Sequence, residues 1–232
     1  MKLSIIVPAH NEEQNIADVV KGIESAVDIQ HELIIVNDHS SDATAAIVEG
    51  LARDNERLTL VHTTGPRGFA NALKTGVHAA RGDYVVPVMA DLCDELATVG
   101  AMYEKMQQGF DVVCASRYMR GGRRQGGSIL KAFLSAFGGV SLRYIIGIPT
   151  QDVPNSFKMY RRELFSHIAL ESRGFEISME IALKAHFLSS RITEVPTRWK
   201  ERTQGVSSFC IPQALPAYAR WYLWAIKKRI TG

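Results

Sequence analysis

Two carboxylates follow an apolar run in the middle of the chain. Residues 84–88 form the run and predict a buried strand, and Asp91 and Asp94 come after it. Open α/β sheets bind ligands at the edge formed by the carboxyl ends of their parallel strands. Carboxylates there can hold a divalent cation, which neutralises a diphosphate leaving group. The alternative is that they cap a helix beginning at Glu95; the pattern alone favours capping for Asp94 and leaves Asp91 open.

Further apolar runs predict the strands that must position this pair. Runs at residues 3–7, 32–36 and 58–62 each precede a helical pattern, which predicts an α/β fold with a largely parallel, doubly wound sheet. Polar groups follow the first two strands, at residues 8–12 and at Asn37 and Asp38, so the fold brings them to the same edge as Asp91. Short carboxylate and amide side chains suit a ribose or a base.

Composition excludes several classes of protein. A chain of 232 residues with 46% hydrophobic residues predicts one domain, or one domain with an appendage. The net charge of +3 gives no general case for nucleic acid. Three widely spaced cysteines argue against disulfides and a zinc site, and the seven histidines show no metal pattern. The first apolar run is too short for a signal peptide, and no uninterrupted apolar stretch is long enough to span a bilayer.

The glycine motifs of common nucleotide-binding folds are missing. No G-x-G-x-x-G follows the first strand and no P-loop motif occurs, which argues against the usual dinucleotide and P-loop sites. Gly68 closes a turn before a helix N-terminus, where the backbone can approach a phosphate, but this signal is weak.

The second half of the chain offers residues with two interpretations each. Residues 117–124 are basic and glycine-rich, either a solvated loop or a clamp on phosphates. The pattern favours the solvated loop for Arg120, Arg123 and Arg124. Residues 129–148 predict a helix whose apolar face contacts the core or a membrane. Asp152 either accepts a proton from an acceptor hydroxyl or orients a basic side chain. Glu176 and Glu180 either reach the site or complement a helix dipole.

The tail combines aromatic and basic residues. Residues 214–230 hold two of the three tryptophans and end in a basic group, which suits a bilayer interface. The alternatives are a helix packed on the domain and a subunit contact. We therefore divide the chain into a catalytic domain at 1–212 and an amphipathic helix at 213–232, and expect a cytoplasmic protein held peripherally at the inner face of the membrane.

Several of these segments together resemble a known family. Residues 4–13, 34–44 and 82–91 resemble the opening of family 2 glycosyltransferases. A fuller set is similar to the branch of dolichol-phosphate mannose synthases and bacterial polyprenyl-phosphate relatives. That set adds residues 115–118, 121–122, 152–162 and 194–196.

The resemblance implies a GT-A fold and an inverting transfer of a sugar from a GDP- or UDP-sugar, with Mg²⁺ or Mn²⁺, to a polyprenyl phosphate or a glycan. The residues expected at the nucleotide are Pro8, Ala9, His10, Glu12, Asn37, Asp38, Gly68 and Ala90. Those expected at the acceptor or its phosphate are Arg117, Lys131, Ser135 and Arg202. Asp91, Arg117 and Asp152 are expected to be catalytic, and Asp91 and Asp94 to bind the metal.

The chain departs from the family pattern at several positions. Met89 replaces the first acid of the D-x-D motif, so either Asp94 compensates or Asp91 and the diphosphate hold the metal. Asn37 stands where the family usually has Asp, and Lys131 where the branch usually has Arg. Two alternatives follow: transfer to a sugar hydroxyl of a surface polysaccharide, with Asp152 or a nearby Glu as base, and a non-catalytic nucleotide-binding protein.

Overall fold

A computed structural model describes residues 2–201 and 210–231. Its strands are β1 (Leu3–Ala9), β2 (His31–Asn37), β3 (Leu58–His62), β4 (Tyr84–Pro87), β5 (Val112–Ser116), β6 (Arg123–Gln125), β7 (Lys158–Arg161), β8 (Ile192–Pro196) and β9 (Arg198–Lys200). Its helices are α1 (Ile16–Ala26), α2 (Thr44–Ala52), α3 (Phe69–Ala79), α4 (Thr98–Gln107), α5 (Ile129–Ile146), α6 (Leu164–His167), α7 (Ile177–Phe187) and α8 (Ile211–Thr231).

The main sheet confirms the predicted α/β class. Its seven strands run in the order β3-β2-β1-β4-β7-β5-β8. All neighbours are parallel except β7, which is antiparallel to both β4 and β5. A second small sheet pairs β6 with β9. Sequence periodicity does not predict this pair, because each strand has three residues and most of them are charged.

Helices cover both faces of the main sheet. Side chains alternate along β1, so Ile5 and Val7 belong to the core on the face covered by α1 and α4. Ile6 belongs to the core on the other face, which α3, α5, α7 and α8 cover. Strands buried on both sides need continuous apolar runs, which is the pattern that predicts β1 and β2.

Buried polar groups connect the starts of β1, β2 and β4. Ser4 Oγ donates to Glu32 Oε1 at 2.6 Å, and the Gly82 N–H donates to Ser4 Oγ at 2.9 Å. Burial alone would raise the pKa of Glu32, but hydrogen bonds from Ser4 and Arg81 hold it below its ordinary value. A side chain at Gly82 would lie 2.8 Å from backbone atoms of Leu3 and Ser4. This contact aligns β4 with β1 and so determines where Asp91 emerges.

The C-terminal helix α8 packs on the domain with one of its faces. Trp221 is 2% exposed, and its Nε1 donates to Ser172 Oγ at 2.8 Å. The hydroxyl of Tyr222 donates to Ser141 Oγ of α5 at 2.9 Å. The opposite face exposes Leu215, Leu223 and the basic end of the helix. The division of the chain at residue 212 stays a prediction, since α8 begins at Ile211.

Helix α5 is long and apolar, although no uninterrupted apolar stretch of the sequence is long enough to span a bilayer. Among the described residues, its 18 residues, with a mean hydropathy of 1.5, make it the one helix long and apolar enough to cross a bilayer. Counting uninterrupted apolar residues missed it because Lys131 and Arg143 interrupt the run. Only Gly139, Leu142 and Ile146 of α5 are buried. Its exposed large apolar residues are Ile129, Leu130, Phe133, Phe137, Tyr144 and Ile145.

Candidate active site

A cavity of about 1320 Å³ opens at the carboxyl ends of β1, β2 and β4, and α5 and α8 form its far wall. Most of the predicted site residues lie on its wall: Pro8, Ala9, His10, Glu12, Asp38, Gly68, Asp91, Asp94, Arg117, Lys131 and Ser135. Asn37, Ala90 and Asp152 are not among the lining residues. Arg202 lies outside the described residues. The predicted edge of the sheet therefore carries a cavity. Asn37, Ala90 and Asp152 lie behind its wall and do not line it.

Asn37 and Ala90 support the wall from behind. Asn37 is buried, its Oδ1 accepts from the Ser40 N–H at 3.1 Å, and its Nδ2 lies 3.2 Å from His62 Nδ1. These bonds shape the loop that carries Asp38. Ala90 is 3% exposed and packs in the core. The structure thus does not place either side chain where it would touch a nucleotide, because neighbouring residues cover both.

Asp38 presents a carboxylate oxygen that fits a ligand. Its Oδ2 accepts from the Gly68 N–H at 2.8 Å, whereas its Oδ1 is buried and has no hydrogen-bond partner within the described part of the chain. A buried acceptor left unpaired costs about 1–3 kcal/mol, so a ligand N–H or O–H would be stabilised here. Such donors occur on the imide of a base and on a ribose.

His10 is fixed beside Asp38 in one tautomer. Its Nδ1 lies 2.8 Å from the carbonyl oxygen of Asp38, which can only accept, so Nδ1 carries the proton. Nε2 is then the acceptor for Arg67 Nη1 at 3.2 Å. The carboxylate of Glu12 accepts from Asn15 Nδ2 at 2.7 Å, and Glu12 lines the same cavity. The first two strands together supply a polar pocket of fixed geometry.

Asp91 and Asp94 are brought together by a tight turn. Leu92 between them has a φ of 56°, and the Cys93 N–H donates to Asp91 Oδ1 at 3.1 Å. Capping was the wrong role for Asp94, because α4 begins only at Thr98 and Asp94 forms a bridge with Trp199 of β9. Burial, and next the charge of Asp91, raise the pKa of Asp94 to about 7; Arg117 opposes this and Asp152 adds to it.

This pair of carboxylates fits a divalent cation that a ligand helps to hold. Asp91 and Asp94 are half-buried, and two neighbouring acids that repel each other are stabilised by positive charge. Their oxygen atoms are the ligands that Mg²⁺ and Mn²⁺ take. Within residues 2–201 and 210–231, no group of three or more His, Cys, Asp or Glu side chains is arranged to hold a metal by itself. The cation would need further oxygen atoms, and a diphosphate supplies them.

Asp152 orients Arg117 and does not reach the cavity. Asp152 is fully buried, and its two oxygens accept from Arg117 Nε at 2.8 Å and Nη2 at 2.9 Å, while the Arg117 N–H donates at 3.0 Å. Arg117 also donates from Nη2 to Ser135 Oγ at 3.0 Å. Burial alone would lower the pKa of Arg117, but Asp152 raises it. The expected catalytic role of Asp152 is corrected to positioning, since every oxygen is engaged behind the wall.

The chain is similar to known proteins in sequence and in fold. Residues 4–169 match the model of glycosyl transferase family 2. The chain belongs to that family. It is 28% identical to a dolichol-phosphate mannosyltransferase of Pyrococcus furiosus over 89% of this chain, and it spans 59% of the length of that relative. It is 27% identical to the polyprenol monophosphomannose synthase of Mycolicibacterium smegmatis, covering 97% of this chain and 88% of that protein.

Solved structures confirm the GT-A fold of this chain. The complex of glucosyl-3-phosphoglycerate synthase from Mycobacterium tuberculosis with phosphoglyceric acid matches 98% of this chain and 79% of its own, with a TM-score of 0.71 and 20% identity. The same enzyme with Mn²⁺, UDP and glucosyl-3-phosphoglycerate matches with a TM-score of 0.67 and 21% identity. At these identities the likeness concerns the fold.

The cavity wall includes residues that sequence patterns did not single out. Arg124 stacks over Trp199 at 4.6 Å, and the Gly127 N–H donates to Glu201 Oε2 at 2.8 Å, so the β6–β9 sheet closes one side of the cavity. The basic run had favoured a solvated Arg124. Only the pairing of β6 with β9, which is distant in sequence, places Arg124 on the wall.

Glu176 and Glu180 hold a loop next to the cavity. Glu180 accepts from the N–H groups of Glu171 and Ser172 at 2.7 and 2.8 Å, and Glu176 accepts from those of Arg173 and Gly174. Neither lines the cavity. They hold the loop that presents Phe175, which stacks on Phe69 at 4.9 Å and does line it.

Proposed function

We propose that the protein is an inverting glycosyltransferase that moves a sugar from a GDP- or UDP-sugar to the phosphate of a polyprenyl phosphate. One observation carries the proposal. A single cavity is lined by Asp38, by the Asp91–Asp94 pair and by Arg117, and it continues onto exposed apolar residues of α5 and α8. These surfaces suit a nucleotide base, a diphosphate and the apolar chain of a lipid acceptor, in that order.

The donor half of the cavity is proposed to bind the nucleotide between β1 and β2. Asp38 Oδ1 would accept a hydrogen bond from the base or ribose, beside His10 and Arg67. The solved relative that holds Mn²⁺ and UDP supports a nucleotide and a divalent cation in this fold. Asp91 and Asp94 would hold Mg²⁺ or Mn²⁺ together with the diphosphate, and the cation supplies charge neutralisation of the leaving group when bound.

The reaction needs no general base if the acceptor is a phosphate. A phosphate oxygen is already anionic at neutral pH and attacks the anomeric carbon from the face opposite the diphosphate. The new C–O bond forms as the bond to the diphosphate oxygen breaks, which inverts the configuration. Arg117, fixed by Asp152, supplies a preorganised positive charge at the wall where phosphate oxygens gather.

A sugar hydroxyl is the second candidate acceptor. It would require a base on the wall, and Asp152 is withdrawn behind Arg117. The carboxylate of Glu201 does line the cavity and could accept such a proton. The lipid phosphate remains the leading proposal because the exposed surfaces of α5 and α8 next to the cavity are apolar, with Phe133, Phe137 and Leu223 more than half exposed.

The test is transfer of label from a radiolabelled donor. Purified full-length protein is incubated with GDP- or UDP-sugars, Mn²⁺ and either polyprenyl phosphate or the neutral polyprenol. We expect label in a chloroform-soluble, acid-labile product with the phosphate and none with the alcohol. Label that reaches only a glycan acceptor would favour the second candidate. No transfer from any donor to any acceptor would contradict catalysis.

We also propose that the protein is cytoplasmic and binds the inner face of the membrane through α5 and α8. Ile129, Phe133 and Leu223 are between 63% and 86% exposed, which is costly in water. The end of α8 adds the basic residues 227–229. An amphipathic surface with aromatic and basic residues suits anionic headgroups.

Reversing the three charges at Lys227, Lys228 and Arg229 to Glu is expected to weaken binding to anionic vesicles at least about 100-fold, since each basic residue contributes about 1 kcal/mol. Cosedimentation with phosphatidylserine vesicles measures this. Trp221 must stay, because it is buried in the core. The matched control reverses the charges of Lys21, Arg53 and Lys105. These residues lie on α1, at the end of α2 and on α4, on the face of the sheet opposite α8. Equal losses in both variants would contradict the assignment to α8.

A further inference from the structure

Strand β9 is hydrogen-bonded to the turn that carries Asp91 and Asp94. Two backbone hydrogen bonds, of 3.0 and 3.2 Å, join β9 to residues 93 and 95 of this turn. Between these bonds, Asp94 and Trp199 form an antiparallel bridge. Residues that face each other in this way point to the same side, with Cβ atoms about 4.5–5.5 Å apart. Both residues line the cavity, so the side chain of Trp199 emerges beside that of Asp94 on its wall.

The indole ring of Trp199 is held in one orientation. The guanidinium carbon of Arg124 lies 4.6 Å from the centroid of the ring. The backbone of Gly127 approaches its edge, because a Cβ at Gly127 would lie 3.3 Å from Trp199 Cη2 and Cζ3. Trp199 is half-buried and lines the cavity. A fixed aromatic ring in a cavity wall is a packing surface for the apolar groups of a ligand.

The order of the strands separates this ring from the proposed nucleotide pocket. Asp38 follows β2 and Asp94 follows β4, and β1 lies between these two strands. Two strand spacings amount to about 10 Å. Trp199 therefore lies at the part of the cavity where the diphosphate is proposed to bind, away from the base. The sugar of the donor is bonded to that diphosphate.

We propose that Trp199 packs against the sugar ring of the nucleotide-sugar donor. This inference rests on the proposed function and adds a residue of β9 to its donor site. Glucose and mannose both carry axial C–H bonds at C3 and C5 on the same face of the pyranose ring, which makes that face apolar. An aromatic ring suits this face through dispersion and its π-electrons. Arg124 and Gly127 keep the indole in place before the sugar arrives, so little side-chain freedom is lost on binding.

The test compares each nucleotide with its sugar. Calorimetry on full-length protein with Mn²⁺ measures the Kd of UDP, UDP-glucose, GDP and GDP-mannose. With the nucleotide that the wild type binds, we expect Trp199→Leu to weaken the nucleotide-sugar about 10-fold and the nucleotide less than about 2-fold, since only the sugar loses a packing surface. Trp199→Phe keeps an aromatic face and should weaken the nucleotide-sugar about 3-fold or less. Trp224→Phe is the matched control, because Trp224 packs against Phe187 and Trp221 and does not line the cavity.

The outcomes separate this inference from the function on which it rests. A wild type that binds neither UDP nor GDP would overturn the proposed function and the role of Trp199 with it. A wild type that binds a nucleotide but neither nucleotide-sugar would overturn the role of Trp199 alone. Equal effects of Trp199→Leu on a nucleotide and its sugar would do the same.

A measurement on the wild type keeps the inference testable if Trp199→Leu does not fold, which its unfolding midpoint shows. The indole N–H resonance of Trp199 is identified by its absence from the NMR spectrum of Trp199→Phe. It should shift further with UDP-glucose or GDP-mannose than with the nucleotide alone. Identical shifts with the nucleotide and its sugar would overturn the inference.

Discussion

Replacing Asp91 by Asn is expected to lower sugar transfer by about 100- to 1000-fold, the usual cost of removing one group that stabilises charge in a transition state. Asp91 Oδ1 is held by the Cys93 N–H in the turn that also carries Asp94. Asn keeps the shape and can still accept this hydrogen bond through its amide oxygen. The change therefore removes the negative charge that would hold a cation and leaves the turn in place.

Metal-dependent stabilisation by UDP or GDP gives a readout that does not depend on turnover. A ligand that binds only the folded state raises its melting temperature, so Mn²⁺ should increase the shift produced by the nucleotide in the wild type. Asp91→Asn should lose this increase and keep the smaller shift without metal. Asp54→Asn, at an exposed position in a loop, is the matched control. Full transfer activity in Asp91→Asn would show that this carboxylate does not hold the metal.

The sequence predicts those site residues whose positions follow directly from the order and direction of the strands. β1 and β2 are continuous apolar runs because both faces of the sheet are covered, and their carboxyl ends lie side by side. Asp38 and Asp91 therefore had to approach the same edge once the strands were recognised. Asn37 shows the limit of this argument. Adjacent residues after a strand point in different directions, and only the structure shows that Asn37 faces His62 and Ser40.

The rest of the site depends on contacts between distant segments. Strand β7 inserts antiparallel between β4 and β5, and this places the loop with Asp152 beneath Arg117. The buried Lys158 of β7 holds that loop through the carbonyls of Val153 and Asn155. Tyr218 reaches the cavity because Trp221 docks α8 on Ser172. No local periodicity encodes these pairings, so the residues that they position were missed or given the wrong role.

Arg117→Met is expected to destabilise the fold by about 3–5 kcal/mol, because it leaves the Asp152 carboxylate buried without its partner. Asp152 has no exposed surface. Both of its carboxylate oxygens accept hydrogen bonds from the side chain of Arg117, and one also accepts from the Arg117 backbone N–H. Combining Arg117→Met with Asp152→Asn should recover much of this loss, since no uncompensated charge remains. Urea denaturation of the two single variants and the double variant measures the coupling between the residues.

Transfer activity separates the two contributions of this pair. The double variant should be more stable than Arg117→Met and still transfer sugar poorly, because the guanidinium at the cavity wall is absent in both. Arg161→Met is the matched control: Arg161 pairs with Asp111 at 3.0 Å, but both side chains are about one-third exposed, so its loss should cost about 1 kcal/mol or less. Additive losses in the double variant would show that Asp152 does not act through Arg117. Recovery of transfer together with stability would show that the guanidinium serves the fold and takes no part in the chemistry.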